Sequence, residues 1–431
     1  MIDLGNWQYE SRSYCHFDIS PSKKRVKEVL ATPNAITRHS FWPFIHFILE
    51  VPRYRPEEGR MDMKERPICY AAHLDAAIYS FYSFQLSQRY ESRIAEFSDS
   101  VLAYRSLGKS NIHFAKDAFD DIRNRGECVA LAFDVSGFFD NLDHRYLKER
   151  WCEVIGGIEL PEPEYKVFRS VTRYSQVNRD EVYEQFGLNS QTSPKKHRIC
   201  TSQQFRTRVR DKGLITVNDH ANGIPQGSPI SATLSNVYML EFDRKMHQLV
   251  NTLGGSYRRY SDDILWIGRV DDAEEVEKRI RELAISAHLE LKEDKTDRVQ
   301  FVREGGRLIA KSDEGHRDLQ YLGFTFDGER ARVRSSSISR FYRKMKQAVR
   351  SKAKAAKDSG DFRLFKRSLY ENYSHLGKRN FISYVYRAAE IFGDEKIKAQ
   401  VRNHWDALQI EIEAAEKWLE KEVKRTNLSN I

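Results

Sequence analysis

The chain has 431 residues, of which 40% are hydrophobic and 31% are charged, so two or three compact subdomains with a sizeable core are expected. This composition excludes an intrinsically disordered chain, and no apolar run approaches the ~20 residues that cross a bilayer. The net charge of +9 favours a polyanionic partner. The N-terminus lacks the basic-then-apolar pattern of a signal peptide, so we expect a cytoplasmic protein that does not engage membranes.

The five cysteines are far apart in the sequence and include no Cys-x-x-Cys pair. An odd number of isolated cysteines predicts buried free thiols and argues against a zinc site or a disulfide framework. The 13 histidines show no spacing typical of metal ligands.

The N-terminal third alternates between polar breaks and helical periodicity. Pro56 and Gly59 interrupt the basic segment 53–66, which predicts an irregular loop. Apolar residues at three- and four-residue steps predict helices over 67–107 and 111–125.

Two acidic sites follow in regions that are predicted to be strands. The apolar run 129–133 has the length of a buried strand and ends in Asp134. The stretch Tyr260–Asp263 lies between two further strand-like runs, at the tip of a predicted hairpin. Alone, its two adjacent aspartates are most often a polar turn. If the strands are neighbours in one sheet, the carboxylates of Asp134, Asp262 and Asp263 converge, and such oxygen ligands suit Mg²⁺.

The C-terminal hundred residues are predicted to be helical. Residues 330–357 contain 11 Lys/Arg and no Asp/Glu. A basic stripe on one helix face favours contact with phosphates over a merely solvated surface. The last helix carries an apolar stripe over 401–423, which predicts that it packs on its own domain or on a partner.

The order of motifs resembles that of reverse transcriptases. Residues 133–140 resemble the first catalytic motif of that family, and Tyr260–Asp263 resembles its Tyr-x-Asp-Asp box. The other resembling segments are the fingers element Arg66–Ile68, the template- and nucleotide-positioning loop Gly223–Pro229, the lysine motif from Leu289 to Thr296 and the primer-grip strand Tyr321–Phe324. The resemblance therefore extends from about residue 64 to residue 326.

The resemblance implies that Asp134, Asp262 and Asp263 are catalytic and hold two Mg²⁺ ions, with the backbone carbonyl of Val135 as a further ligand. Mn²⁺ is the expected substitute metal. Two such ions can activate an attacking hydroxyl and stabilise a leaving pyrophosphate.

The resemblance also implies a deoxynucleotide site. Phe139 lies where the family places an aromatic steric gate against the ribose 2′-OH, while Phe138 is the better candidate for core packing. Gln226 would line the nucleotide pocket. Arg66 and Lys64 would reach the triphosphate. The lysine of the lysine motif would be Lys295, and a surface lysine without a role in the site is an equal alternative for it. Primer and template contacts are expected from Tyr321, Leu322, Gly323, Arg343, Lys346, Arg350 and Lys354.

A narrower resemblance is to bacterial defence-associated reverse transcriptases. It rests on the segments 71–79, Leu102–Arg105, Gly108–Lys116 and Phe138–His144. This resemblance implies a role in antiphage immunity, with a structured noncoding RNA, dNTPs and a DNA product as partners. A second polymerase, an accessory defence protein or a second copy of the chain are further partners that such systems suggest.

We therefore expect an α+β, right-hand polymerase that is an RNA-directed DNA polymerase. The expected domains are an N-terminal extension (1–60), fingers (61–128), a palm (129–330) with an insertion near 165–220, and a basic helical thumb with C-terminal helices (331–431). Two alternatives stay open: a template-independent or protein-primed DNA nucleotidyltransferase, and a noncatalytic RNA-binding scaffold with the polymerase fold.

Overall fold

A computed structural model describes residues 5–55, 60–189, 198–292, 296–312 and 315–429. The chain divides into two compact units, which are described separately below. Unit 1 consists of Met1–Arg105, Phe133–Leu265 and Glu274–Thr296, and unit 2 of Ser106–Ala132, Trp266–Ala273 and Asp297–Ile431.

Helices account for most of the regular structure, and strands form three sheets. The α-helices are α1 Lys23–Leu30, α2 Pro33–Thr37, α3 His73–Arg93, α4 Asn111–Arg125, α5 His144–Ile155, α6 Glu162–Thr172, α7 Arg179–Gln185, α8 Ser202–Phe205, α9 Ser231–Tyr238, α10 Leu240–Leu253, α11 Ala273–Ser286, α12 Ser335–Asp358, α13 Arg367–Tyr373, α14 Phe381–Phe392, α15 Glu395–Ala399 and α16 His404–Ser429. The strands are β1 Phe44–Arg55, β2 Arg60–Tyr70, β3 Cys128–Asp134, β4 Ser175–Asn178, β5 Thr216–Val217, β6 Ser256–Tyr260, β7 Asp263–Gly268, β8 Asp297–Glu304, β9 Arg307–Ser312, β10 Gly315–His316, β11 Leu319–Tyr321, β12 Phe324–Phe326 and β13 Ala331–Val333.

The sheets have the orders β2-β1-β4-β5, β10-β9-β8-β3-β7-β6 and β11-β12-β13. Mixed helices and sheets confirm the expected α+β class. Within the described part of the chain, no helix is both long and apolar enough to cross a bilayer. All five cysteines are buried free thiols, as predicted.

The first sheet corrects two expectations from the sequence, and one of them is the helix predicted to begin at residue 67, since β2 extends to Tyr70 and the helix begins at His73. The segment 53–66 was predicted to be an irregular loop, but β1 and β2 run through it as an antiparallel pair, with Pro52 opposite Met63. Proline interrupts a strand only where its missing N–H is needed. Strand β4 pairs with β1 only over Phe44–His46, so Pro52 lies in a part of β1 where this pairing has already ended.

The strand that ends in an acid is placed as the sequence predicts. Strand β3 ends at Asp134 and is buried along most of its length, because its alternating side chains meet packed residues on both faces. After it, Asp143 accepts a hydrogen bond from the backbone N–H of Tyr146 and begins α5.

Unit 2 contains the packed C-terminal helices. Leu408, Ile412 and Leu419 of α16 share one apolar cluster with Met345 and Val349 of α12. The apolar stripe of the last helix is therefore buried within its own unit.

Candidate active site

The Tyr-x-Asp-Asp stretch forms the turn between β6 and β7 in unit 1. Ser261 has a φ of +61°, a left-handed conformation that is uncommon for residues other than glycine. This turn leaves Asp262 half-buried and Asp263 exposed. Because the backbone at Ser261 is in a sparsely populated region, neighbouring groups must hold it in place.

A buried ion pair lies directly beneath the turn. The side chains of Arg259 and Asp243 are fully buried, and they form a bidentate pair with Nε–Oδ1 at 2.8 Å and Nη2–Oδ2 at 2.7 Å. The Nη1 of Arg259 also donates to the backbone oxygen of Ser261 at 3.1 Å. Burial lowers the pKa of Arg259, but the Asp243 carboxylate outweighs burial and raises that pKa above its ordinary value. Arg259 is therefore a permanent cation that fixes the turn.

Two further residues form hydrogen bonds with the remaining polar groups of this ion pair. The Tyr257 hydroxyl donates to Asp243 Oδ1 at 2.6 Å, and Asn236 Oδ1 accepts from both terminal nitrogens of Arg259 at 3.2 Å. In surroundings of low polarity such charge-assisted hydrogen bonds are strong, and a buried polar group that loses its partner destabilises the fold. Sequence reasoning missed this network, since Asp243 and Asn236 lie on helices without a recognisable motif.

The segment 102–105 supports the same turn from outside. The backbone N–H of Leu102 donates to the Arg259 oxygen at 2.9 Å, and Asn236 Nδ2 donates to the Ala103 oxygen at 2.9 Å. The Tyr104 hydroxyl lies 2.9 Å from Ser261 Oγ. Burial raises the pKa of the Tyr104 phenol, so that it stays protonated at neutral pH.

The end of β3 lies beside this hairpin. The backbone N–H of Val135 donates to the Asp262 oxygen at 3.3 Å, which places the two acidic strand ends side by side. On the other side of β3, Ser136 N–H donates to the Glu290 oxygen at 2.8 Å and Lys292 N–H donates to the Asp134 oxygen at 3.0 Å. The lysine motif therefore begins as an extended segment against the first catalytic motif.

Lys292 is a site residue that the sequence did not reveal. Its Nζ lies 3.0 Å from Asp134 Oδ1 and 3.3 Å from the Val135 carbonyl oxygen. These are two of the oxygens that were expected to bind metal. The predicted Lys295 lies outside the described residues. Nothing in the sequence distinguishes Lys292 from a surface lysine, because only the pairing of 290–292 with β3 brings it to the acid.

The donor set fits a divalent cation that is completed by substrate. Among the described residues, no three His, Cys, Asp or Glu side chains form a ready-made metal cluster. The neighbouring groups are instead the carboxylates of Asp134 and Asp262 and the carbonyl of Val135. The ammonium of Lys292 lies within hydrogen-bond distance of two of these oxygens, where a cation is expected. Mg²⁺ commonly takes only one or two carboxylates and fills its remaining positions with water and phosphate oxygens.

The positioning loop Gly223–Pro229 packs against both the segment 133–140 and strand β2. The backbone N–H of Ile224 donates to the Phe139 oxygen at 2.9 Å, and Cys69 N–H donates to the Gln226 oxygen at 2.8 Å. Gly227 has a φ of +110°, and a Cβ there would lie 2.5 Å from the Cys69 oxygen, so only glycine fits. Phe138 is buried, as expected of a core residue, and Phe139 is half-buried.

The predicted triphosphate contacts lie on the strand that ends beside this loop. Lys64 and Arg66 are exposed and project from the same face of β2, since they are two residues apart. Cys69 follows three residues after Arg66 and binds the Gln226 backbone. Main-chain hydrogen bonds within unit 1 therefore connect the loop that carries Gln226 to Phe139 and to Cys69, on the strand that also carries Arg66.

The predicted primer-grip residues lie in unit 2. Tyr321 is buried, whereas Leu322 is half-buried and Gly323 is exposed. Both residues of the turn have positive φ, +46° at Leu322 and +92° at Gly323. Asn111 Nδ2 donates to the Leu322 oxygen and to the Tyr384 hydroxyl, both at 3.0 Å, and so stabilises this turn. The backbone of the turn, and not the Tyr321 ring, is what it presents to solvent.

The basic stripe of α12 is less uniform than its sequence indicates. Lys346 pairs with Glu411 at 2.9 Å, and Lys357 pairs with Glu422 at 2.5 Å. Arg350 and Lys354 are exposed, and Arg343 is half-buried. Acids of α16 therefore neutralise part of the stripe, a feature that a single-helix pattern cannot show.

Acidic strand ends beside a tight hairpin, with a glycine-dependent loop packed against the segment that follows Asp134, are the arrangement expected of a template-directed polymerase. The sequence profile of the family described as "Reverse transcriptase (RNA-dependent DNA polymerase)" matches residues 63–326, which is more than half of the chain. The chain therefore belongs to the reverse transcriptase family. No curated protein sequence matches it.

Several solved structures resemble the chain at low identity. Apo telomerase from Candida Tropicalis is 12% identical, with a TM-score of 0.44, over 91% of this chain and 66% of that chain. Telomerase from Candida albicans, in complex with a TWJ fragment of telomeric RNA, is 12% identical with a TM-score of 0.41, over 91% and 65% of the two chains. The RNA-dependent RNA polymerase of a human picorbirnavirus is 11% identical with a TM-score of 0.36, over 67% and 44%. This chain therefore spans 66% or less of the length of these proteins, and the family assignment rests on the profile match.

We expect Arg259→Met to lower the free energy of unfolding by about 3–5 kcal/mol, because Asp243 is left as a buried charge without its partner. Urea unfolding monitored by circular dichroism measures this loss. The double variant Arg259→Met/Asp243→Leu should recover part of it, since neither buried charge then remains. A single variant as stable as the wild type would contradict the structural role of the pair.

Proposed function

We propose that the protein is an RNA-directed DNA polymerase that uses two Mg²⁺ ions, with Mn²⁺ as a substitute, and copies a structured noncoding RNA in antiphage defence. The observation that carries the polymerase assignment is the hydrogen bond between Val135 and Asp262, which joins two acidic strand ends in a chain of the reverse transcriptase family. The buried free cysteines favour a reducing compartment such as the cytoplasm.

In this proposal the residues of unit 1 position a primer hydroxyl and a deoxynucleoside triphosphate. Asp134, Asp262 and the Val135 carbonyl would hold the metal ions, with Asp263 as a less direct ligand. Bound metal supplies the positive charge that offsets charge developing on the transferred phosphoryl group. The chain's own cations, Arg66 and Lys64, orient the triphosphate, and this positioning is most of what the protein contributes to phosphoryl transfer.

The nucleotide pocket is built to select the sugar. The ring of Phe139 follows directly after the buried Phe138, and its backbone oxygen is held by Ile224. The Phe139 ring also packs against the Phe138 ring, with centroids 5.6 Å apart, and a bulky ring at this position would collide with a 2′-OH. Gln226 is fixed on the facing loop through its bond to Cys69.

The defence assignment draws support from where the resembling segments lie. Residues 102–105 contact the β6–β7 hairpin through the Tyr104 hydroxyl and the Leu102 backbone, and Asn111 of the segment 108–116 binds the turn after β11. Segments that resemble the defence group thus support the functional turns of each unit. A noncoding RNA template, a DNA product and a second polymerase, accessory protein or second copy of the chain are partners included in the proposal.

We expect the double variant Asp262→Asn/Asp263→Asn to fold normally and to lose more than about a thousandfold in DNA synthesis, because amides remove the charge without changing the shape. Primer extension on an RNA template with Mg²⁺ and dNTPs measures the loss, and circular dichroism checks the fold. The control is Asp219→Asn, which makes the same change at an exposed aspartate that is distant in the sequence from Asp262 and Asp263. Retained incorporation by the double variant would refute the proposed mechanism.

We expect Phe139→Ala to admit ribonucleotides, because removal of the ring opens space for the 2′-OH. Parallel primer-extension reactions with dNTPs and rNTPs measure the ratio of the two rates. Phe138→Leu should instead reduce stability and leave the ratio unchanged, since that ring is buried. An unchanged ratio in Phe139→Ala would place the gate at another residue.

We expect Lys292→Met to bind Mn²⁺ about tenfold more tightly than the wild type. In the wild type an entering cation must displace an ammonium that is hydrogen-bonded to Asp134, and such charged hydrogen bonds contribute roughly 1.5–3 kcal/mol. Isothermal titration calorimetry without nucleotides measures the affinity. Lys278→Met, at an exposed lysine of α11, is the matched control. Equal or weaker binding by Lys292→Met would show that the ammonium does not compete with metal.

A further inference from the structure

A cavity of about 580 Å³ lies in unit 1, between the start of β1, helix α2 and helix α6. This is within the range of 300–1,000 Å³ that is usual for ligand sites, and it is large enough for a nucleotide. The residues that give the cavity its character are aromatic or basic: Phe41, Trp42, Tyr165, Lys166, Arg169 and Arg173. None of them belongs to a motif that was identified in the sequence.

The basic residues lie toward the C-terminal end of α6. Lys166 and Arg169 are three residues apart, so their side chains project toward the same side of the helix, and Arg173 directly follows the last helical residue, Thr172. Arg169 and Arg173 are exposed, and among the described residues neither side chain has a hydrogen bond or an ion pair. Glu162 is the single acid that lines the cavity beside these three cations. The cavity is therefore positively charged, with two guanidinium groups available for an anion.

The aromatic rings are held rigidly by packing behind the cavity. Trp42 packs edge-on against Phe205 with ring centroids 4.9 Å apart, and Phe41 stacks on Tyr79 at 5.2 Å. Tyr165 is 42% exposed at the cavity wall. Rings that are already immobilised lose little conformational entropy when a flat ligand stacks on them.

We propose that this cavity binds a short segment of single-stranded RNA. Guanidinium groups recognise phosphates, and aromatic side chains stack on unpaired bases, which is the combination that single-stranded nucleic-acid sites use. Ser175 also lines the cavity, and its hydroxyl is a candidate partner for a ribose 2′-OH, whereas the Ser170 hydroxyl is already bonded to Val167 and Tyr79.

The cavity connects to the positioning loop through the backbone. Asn218 N–H donates to the Tyr174 oxygen at 2.8 Å, and Asn218 Nδ2 donates to the oxygens of Thr172 and Asn222 at 2.9 and 3.0 Å. Residue Asn222 directly precedes the loop that carries Gln226. The inference that this RNA is the template rests on the proposed function. The inference that the cavity binds single-stranded RNA does not depend on that function.

The test measures RNA binding without catalysis. A fluorescein-labelled, unstructured 12-nucleotide RNA is titrated with the full chain in EDTA, and fluorescence anisotropy gives the Kd over a range of salt concentrations. We expect Arg169→Gln/Arg173→Gln to raise the Kd about tenfold and to reduce the slope of log K against log salt by about 1.4, the value for two phosphate contacts on a single strand. Tyr165→Ala should raise the Kd at least about fivefold through lost stacking.

The control variant Arg145→Gln/Lys278→Gln removes the same charge at two exposed residues of α5 and α11, and it should keep the wild-type Kd. Thermal melting verifies that all variants fold. Ultraviolet crosslinking of a 4-thiouridine RNA, followed by mass spectrometry, should identify a peptide that contains Tyr165 or Tyr174.

Wild-type affinity in the double variant, or equal weakening in the control, would overturn the inference. A labelled oligoglutamate peptide, titrated in parallel, shows whether the cavity takes an acidic protein segment in place of RNA. Because the measurement contains neither metal nor dNTPs, failure of the polymerase proposal in primer extension remains distinguishable from failure of RNA binding.

Discussion

The bidentate pair between Arg259 and Asp243 is the interaction on which the candidate active site depends. It is fully buried, and it joins α10 to the last residues of β6 before the Tyr-x-Asp-Asp turn. Removing two charges from water is costly unless all their hydrogen-bonding groups are satisfied, and here Tyr257 and Asn236 satisfy those that remain. The left-handed backbone at Ser261 persists because the same guanidinium holds its carbonyl oxygen.

The turn is also held by a segment that lies outside the strands that carry the acids. The strand-end acids are presented by short strands. Residues of the segment 102–105 then fix the hairpin through the Tyr104 hydroxyl, which lies beside Ser261, and through the Leu102 backbone N–H, which donates to Arg259. The Ala103 carbonyl binds Asn236, so the same segment is connected to the residue that completes the buried ion pair.

The sequence predicts features that local patterns encode. The apolar run before Asp134, the hairpin at Tyr260–Asp263 and the helix that ends before Gly126 all have the predicted form, because burial and turn chemistry act over a few residues. It does not predict contacts between distant segments. Lys292 reaches Asp134 only through strand pairing, and β1 tolerates Pro52 only because β4 is short. The placement of Asp134 and Asp262 at strand ends was therefore predictable, whereas their supporting network was not.

The hydrogen bond from Cys69 to Gln226 has a mechanical consequence. Cys69 lies near the end of β2, so this bond joins the strand that carries Arg66 to the loop that carries Gln226. No space separates the two backbones at this point, because a Cβ on Gly227 would lie 2.5 Å from the Cys69 oxygen. A shift of this end of β2 therefore requires a shift of the loop, and the two segments are coupled through a single backbone contact.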